Sequence, residues 1–360
     1  MGYEVDFLPV GDGEKNGDAI ALRFGNLSGA RGAQRVVVID GGFQDSGKAL
    51  VEHVQTYYKT DTIDLVISTH PDADHISGLE VVLKESKVGQ LWMHLPWNHA
   101  KGVAGLFKDG RVTDQSVREA LRRSLDAAYS LDKLARAKGI PIVEPFTGTK
   151  DASQQLLVLG PTQAFYESQL PLFRGTPEPK AGMGVLQKVR EGVKEVVQRI
   201  AETWDYETLD DTGETSPENN SSAIILLSSE DRRVLFTADA GIPALSQAAD
   251  ALNAIGLNHA HISFIQVPHH GSRRNVGPQT LDRLVGPRRL QDVYQRTAIV
   301  SASKDGQPKH PAKKVTNAFR RRGTRVYATQ GKNVRHAANA PPRDGWIDGE
   351  PLPFFTEVED

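Results

Sequence analysis

His70-Pro71-Asp72-Ala73-Asp74-His75 sets four candidate metal ligands within six residues, at the end of an apolar run. The preceding residues Ile63, Asp64, Leu65, Val66, Ile67, Ser68 and Thr69 are few and largely β-branched, and read as a buried strand. Ser77 and Gly78 follow, then the helix-like run Leu79 to Lys87. A strand that feeds such a loop and then a helix brings imidazoles and carboxylates to the C-terminal end of a sheet strand, where open α/β architectures place their sites. Two neutral imidazoles and two carboxylates suit a divalent ion of borderline hardness, zinc or manganese, and can serve two ions at once. A charged surface loop also collects Asp, but two His at this spacing after a buried strand are not ordinary loop chemistry.

The size of the chain, 360 residues, allows one large core or two smaller ones. Its 39% hydrophobic and 24% charged residues are those of an ordinary globular protein. No stretch approaches the apolar length of a membrane span, so no membrane association is expected. The start, Met1-Gly2-Tyr3-Glu4-Val5-Asp6, has neither a basic nor an apolar leader region, so no signal peptide is expected. The absence of cysteine excludes disulfides and thiolate zinc sites and makes the cytoplasm the default compartment.

The formal net charge of -2 hides an asymmetry. Residues 268–336 carry 11 Arg and 5 Lys against Asp282, Asp292 and Asp305, a balance of +13. Residues 202–218 carry Glu202, Asp205, Glu207, Asp210, Asp211, Glu214 and Glu218 with no Lys or Arg. Such runs are usually solvated faces. A basic segment that also holds candidate ligands points to an anionic substrate, with nucleic acid foremost.

Strand patterns lie at Tyr3–Pro9, Ala19–Phe24, Arg35–Asp40, Leu91–Leu95 and Gln155–Gly160, with helical patterns at Ser46–Lys59 and Val112–Lys138. The second half repeats the theme. Strands are expected at Ala223–Ser228, Arg233–Thr237, Ile262–Val267, Ala298–Ser301 and Arg325–Thr329, and helices at Pro243–Leu252, Pro278–Leu284 and Ala312–Arg322. Residues 161–218 read as an insertion over or beside the site, with a helix near Leu186–Ile200, and residues 337–360 as an extended tail. Two β-rich halves, each with ligand loops after its strands, describe an α/β fold of αββα type spanning residues 1–336.

Further candidate ligands follow other strands. Asp239 ends Thr237-Ala238-Asp239, where it can reach the rim near His70 or simply cap the next helix. His269 and His270 precede Gly271, an uncommon pairing for a plain turn, and Ser272 adds a hydroxyl for phosphate. His310 lies in the loop after Ala298–Ser301. Asp18 or backbone carbonyls can accept from the ring nitrogens that face away from a metal. His53, His94, His99, His259, His261 and His336 read as structural or surface residues.

The HxDxDH stretch resembles the metallo-β-lactamase superfamily signature HxHxDH, with Asp72 in place of the second His. This form is similar to the soluble domain of the DNA-uptake protein ComEC and to phosphorylcholine esterases of the same fold. Thr237-Ala238-Asp239 stands where the superfamily has Thr-Gly-Asp, and His269-His270-Gly271-Ser272 matches the ComEC-like pattern. Asn219-Asn220-Ser221-Ser222 and Gly11…Gly17-Asp18-Ala19 match as well. Ser303 to Pro311 resembles a Ser-x-Gly…Gly-His-Pro loop, with Lys309 where Gly is common. The likeness spans roughly residues 5–330, excluding 161–218.

That resemblance implies a four-layer αββα metallo-β-lactamase-type sandwich holding two divalent ions, Zn or Mn. One ion would take His70, Asp72, Asp239 and one His of the pair, for which His270 is favoured. The other would take Asp74, His75, Asp239 and His310. The activity implied is hydrolysis by a metal-bridging hydroxide, with Asp74 and His269 as catalytic groups and Ser272, Arg273, Arg274, Lys304 and Lys309 binding substrate. Phosphodiester hydrolysis of DNA or RNA fits the basic balance best. Hydrolysis of a small phosphoester, lactone, thioester or β-lactam, and a non-catalytic binding module, are the alternatives.

Overall fold

A computed structural model of the chain describes residues 1–11, 13, 15–180, 199–305 and 310–359. Its first sheet runs β16-β1-β2-β3-β5-β7-β8. These strands are β1 (Gly2–Phe7), β2 (Ala19–Gly25), β3 (Gln34–Gly41), β5 (Leu65–Ile67), β7 (Leu91–Trp92), β8 (Ile142–Val143) and β16 (Val334–Ala338). The second sheet runs β15-β14-β13-β12-β11-β9. It comprises β9 (Leu156–Gly160), β11 (Ile224–Ser229), β12 (Arg232–Phe236), β13 (Ile262–Gln266), β14 (Arg296–Val300) and β15 (Thr324–Ala328). Two small pairs complete the set among the described residues: β4 (Thr62–Ile63) with β6 (Lys87–Val88), and β10 (Arg199–Ala201) with β17 (Glu357–Glu359).

Both sheets are mixed, and the parallel part of each carries the ligand loops. β3, β5, β7 and β8 are mutually parallel, as are β12, β13, β14 and β15. Side-chain alternation then builds the layers. In β3, Val37 and Ile39 enter the core between the sheets while Val36 and Val38 face the helices. Likewise Val234 and Phe236 of β12 join the inter-sheet core, and Leu235 faces the other helical layer.

Helices α1 (Gln44–Tyr57), α3 (Leu79–Glu85), α4 (Asp114–Ser124) and α5 (Asp126–Ala137) supply the apolar cover of the first sheet, with Leu50, Leu79, Leu121 and Leu131 buried there. Helices α8 (Ile242–Ala254), α9 (Pro278–Leu284) and α10 (Lys313–Arg321) cover the second through Leu245, Leu281 and Phe319. The order helix, sheet, sheet, helix is the α/β sandwich that the strand and helix patterns describe. Among the described residues no helix is long and apolar enough to cross a membrane.

The helical pattern expected over Val112–Lys138 divides at Leu125, whose φ of -114° and ψ of 47° are not helical. The apolar spacing continues across the break, so periodicity alone does not register it. Ile63 belongs to the small β4–β6 pair rather than to the strand before His70, which is only Leu65–Ile67. Of the helix expected near Leu186–Ile200, residues 186–198 lie outside the described residues, and Ile200 lies in β10. The described part of 161–180 packs into the first helical layer through Tyr166, Leu170 and Phe173. The tail is extended but tied down: β16 pairs with β1, and Arg343 donates from Nη1 and Nη2 to Asp6 at 2.7 Å on the outer face of β1.

The charge asymmetry is resolved largely within the molecule. Arg321 and Arg322, at the end of α10, are fully buried and pair with Glu202 and Glu207 at 3.2 and 2.7 Å. Arg288 approaches Glu207 at 3.8 Å, and Arg273 acts electrostatically on Asp210. The seven acidic residues of 202–218 thus reduce the +13 of residues 268–336 to +6 for the two segments together (13 − 7). Glu202→Ala leaves Arg321 buried without its carboxylate and is expected to destabilise the fold by about 3–5 kcal/mol, read from urea denaturation. Removing Glu230, paired with the N-terminus at the surface, should change stability by less than about 1 kcal/mol in the same assay.

Candidate metal centre

Each ligand loop leaves the end of a parallel strand. β5 leads to His70, β12 to Asp239, β13 to His269 and His270, and β14 to the loop that reaches His310. The two sheets face each other, so these loops meet at one rim. Two glycines make the meeting close. A Cβ on Gly17 would lie 2.3 Å from the Asp74 carbonyl oxygen, and one on Gly271 would lie 2.4 Å from the Pro311 Cβ. Gly271 also has φ +81°, a conformation without penalty only for glycine. Asp40, Ala238, His269 and His270 hold φ of +45 to +54° around the same rim. Such strained backbone clusters where a site needs its side chains aimed. At Ala238 it also gives a physical reason for the glycine common in the resembling pattern.

The imidazoles are aimed by their Nδ1 atoms. His75 Nδ1 lies 2.9 Å from Asp40 Oδ2, and His270 Nδ1 lies 2.9 Å from the Ser301 carbonyl oxygen. His70 Nδ1 lies 3.0 Å from Thr69 Oγ1, whose own hydroxyl donates to Asp40 at 2.6 Å. With each Nδ1 engaged outward, the Nε2 atoms face inward. The Nε2 atoms of His70, His75 and His270 are buried and have no protein hydrogen-bond partner, as is Asp239 Oδ1. Asp239 Oδ2 lies 3.8, 3.4 and 3.8 Å from those three Nε2 atoms. Buried polar atoms without partners are expensive. Here they converge, and the donor set of imidazole nitrogen and carboxylate oxygen fits divalent ions.

Among the described residues, three sets have donor atoms all within 4.8 Å of one another: Asp40, His70 and His75; Asp74, His75 and His270; and Asp18, His75 and Asp239. His75 belongs to every set. His270 therefore lies beside Asp74 and His75 as well as near Asp239. Asp72 Oδ2 lies 3.7 Å from His70 Nε2, and Asp74 Oδ2 3.9 Å from His75 Nε2. His310 Nδ1 is buried without a partner.

Electrostatics set most of these groups in ligating form. Burial holds His70 below its usual value, His270 well below, and His310 down at about 4, so all three are neutral. Burial opposes ionisation of Asp239, but His269, His75 and His270 outweigh it and hold its carboxyl well below the usual range. For His75, burial is overcome by Asp239 and Asp74, which raise it well above an ordinary imidazole. Burial raises Asp74, and lifts Asp18 to about 7.

His269 is placed differently from His270. Its side chain is partly exposed, Asn219 Nδ2 donates to its Nδ1 at 2.9 Å, and that Nδ1 is 3.7 Å from Asp239 Oδ2. Its proton therefore sits on Nε2. Ser272 and Arg273 are half-buried, Arg274 and Lys304 exposed, and Lys309 lies outside the described residues. Arg273 and Arg274 adjoin the acidic segment, with Gly213 packed against the Arg274 backbone.

Two residues beside these ligands escape sequence reading. Asp40, at the end of β3, orients His75 and Thr69; Asp18 stands farther from His75 Nδ1, at 3.7 Å, and accepts from Gln266 Nε2 at 2.7 Å. A carboxylate closing a buried apolar strand before Gly41-Gly42 was the available signal for Asp40. The second is Arg174, which donates to Asp72 Oδ1. No local pattern marks it.

Residues 23–166 match the model of the metallo-beta-lactamase superfamily. No curated protein matches the chain. Among solved structures, a Thermotoga maritima protein of metallo-beta-lactamase type is similar at 13% identity and TM-score 0.35, over 71% of this chain and 93% of that one. A diphosphatase of the PhnP family aligns at 10% identity and TM-score 0.38, over 94% and 98%. The CmlA beta-hydroxylase aligns at 12% identity and TM-score 0.41, over 93% of this chain and 53% of that one.

Asp40→Ala removes the acceptor that orients His75 and is expected to weaken divalent-ion binding by about 10–100-fold. Titration with zinc followed by calorimetry checks this, with Asp45→Ala, at an exposed position of α1, as the unaffected control.

Proposed function

We propose that this protein is a metal-dependent phosphodiesterase of the ComEC-like, HxDxDH branch, loaded with two divalent ions, Zn or Mn. The observation that carries the reading is the convergence of three buried, unpartnered Nε2 atoms on the Asp239 carboxylate. His70, Asp72, Asp74, His75, Asp239, His270 and His310 are the residues that would hold the ions. Ions bound there would supply Lewis acidity and an activated water, chemistry suited to phosphoryl centres.

The protein's own groups support the rest. His269 carries its proton on Nε2 and is partly exposed, so it can donate to a phosphoryl oxygen or to the departing alkoxide. Asp74, on the exposed side of His75, is the second catalytic candidate. Ser272, Arg273, Arg274 and Lys304, with Lys309, are the candidate anion-binding groups. No Ser or Cys nucleophile is required.

Nucleic acid is one substrate class compatible with these cations. A small phosphodiester is the second reading, and a specific observation favours it: Arg321 and Arg322 are buried against Glu202 and Glu207, leaving less free positive charge for a polyanion. Purified metal-loaded protein should hydrolyse bis(p-nitrophenyl) phosphate, and His75→Ala or removal of metal by EDTA should reduce the rate to background. Activity that survives chelation rejects the metal-dependent reading. If single-stranded DNA is the substrate, log affinity should fall against log salt by about 0.7 for each phosphate neutralised. Arg273→Glu with Arg274→Glu should then weaken DNA cleavage at least about tenfold more than cleavage of the small diester. Equal loss on both substrates means that the arginines support the site itself, and no nucleic-acid binding at any salt assigns the small diester.

A further inference from the structure

A carboxylate at position 72 raises a problem that an imidazole would not. An imidazole anchors itself by donating one N–H and presents the other nitrogen, as His75 and His270 do here. A carboxylate has no donor of its own, so the group that fixes it must come from elsewhere. Asp72 also shares the rim with Asp74, Asp239 and, nearby, Glu218. Without an opposing cation, like-charge repulsion would turn it toward solvent.

Arg174 meets this need. Its Nη1 donates to Asp72 Oδ1, and its Nη2 reaches the Pro71 carbonyl oxygen at 3.4 Å. The guanidinium is itself held, with Nε 3.4 Å from the Ser124 carbonyl oxygen and the Arg174 backbone N–H donating to Glu218 Oε1 at 2.6 Å. The next residue, Gly175, has φ +78°, and a Cβ on it would lie 2.4 Å from the Ser124 Cβ. The turn is therefore pressed against the end of α4, and the planar fork is set before any ligand arrives. With Oδ1 occupied, Oδ2 is the oxygen left facing His70 Nε2 at 3.7 Å.

We propose that Arg174 is a positioning residue for Asp72, taking one carboxylate oxygen so that the other is presented to the metal beside His70. This assignment rests on the metal-centre reading above. Lys cannot replace it fully, because a single ammonium does not reproduce the fork spanning Asp72 and the Pro71 carbonyl.

The test is a double-mutant cycle in zinc binding, using full-length wild type, R174A, R174K, D72A and D72A/R174A, with stoichiometry from metal analysis and affinity from calorimetry. Wild type is expected to bind near two equivalents. R174A should weaken one of them about tenfold or more, and R174K should fall between. D72A/R174A should bind no more weakly than D72A, because the two residues act through one interaction. R174A binding as wild type, or losses that simply add, overturns the assignment while leaving the metal centre intact. Wild type that binds no divalent ion overturns both. Thermal melts by circular dichroism establish that each variant folds. If R174A does not, R174Q takes its place in the cycle with the same expectation.

Discussion

Asp239 Oδ2 lies within 3.4–3.8 Å of one nitrogen from each of His70, His75, His269 and His270. Four imidazoles around one buried carboxylate is a costly arrangement unless charge is balanced and each ring is fixed. The surroundings do both. Asp40 and the Ser301 carbonyl fix His75 and His270, Thr69 fixes His70, and Asn219 fixes His269. The left-handed backbone at Asp40, Ala238, His269 and His270 lies at the same rim, where strain of this kind clusters around aimed side chains. The sandwich supplies the leverage: Asp40 comes from the first sheet and Asp239 and His270 from the second, so the inter-sheet core holds the site together.

A second constraint is electrostatic and acts at longer range. The acidic segment 202–218 and the end of α10 are brought together by burying Arg321 and Arg322 against Glu202 and Glu207. Asn317 Nδ2 donates to the Phe355 carbonyl at 2.7 Å and also bonds Glu202, so the C-terminal tail joins the same knot. On the first sheet Glu4 and Asp6, on the outer face of β1, are covered by Arg335 and Arg343 from beyond β15. A charge sum along the chain therefore overstates what remains to attract a polyanion.

Much of the architecture is legible in the sequence. The apolar run Val36–Ile39 and those within the strands that end at Ile67, Phe236, Gln266 and Val300 mark strands locally, because a strand buried on both faces is written as a short, largely β-branched apolar run. His70, Asp72, Asp74, His75, Asp239, His269 and His270 could be named because each follows such a strand directly. The break at Leu125 was not legible, since the helical period persists through it, and neither was β16, whose Val334-Arg335-His336 carries no alternation of apolar residues.

What tertiary structure alone decided are the partners. Asp40 is 35 residues from His75, Arg174 is 102 from Asp72, Glu202 is 119 from Arg321, and Asp18 is 248 from Gln266. A hydrogen bond depends on distance in space, and nothing in the residues near Arg174 or Asp40 encodes which distant group the folding of the sheets will bring beside them. The chain by itself determines which side chains have the chemistry to bind a metal. The packing of one sheet on the other determines which of them are aimed, which are neutralised, and which oxygen of Asp72 remains free to bind.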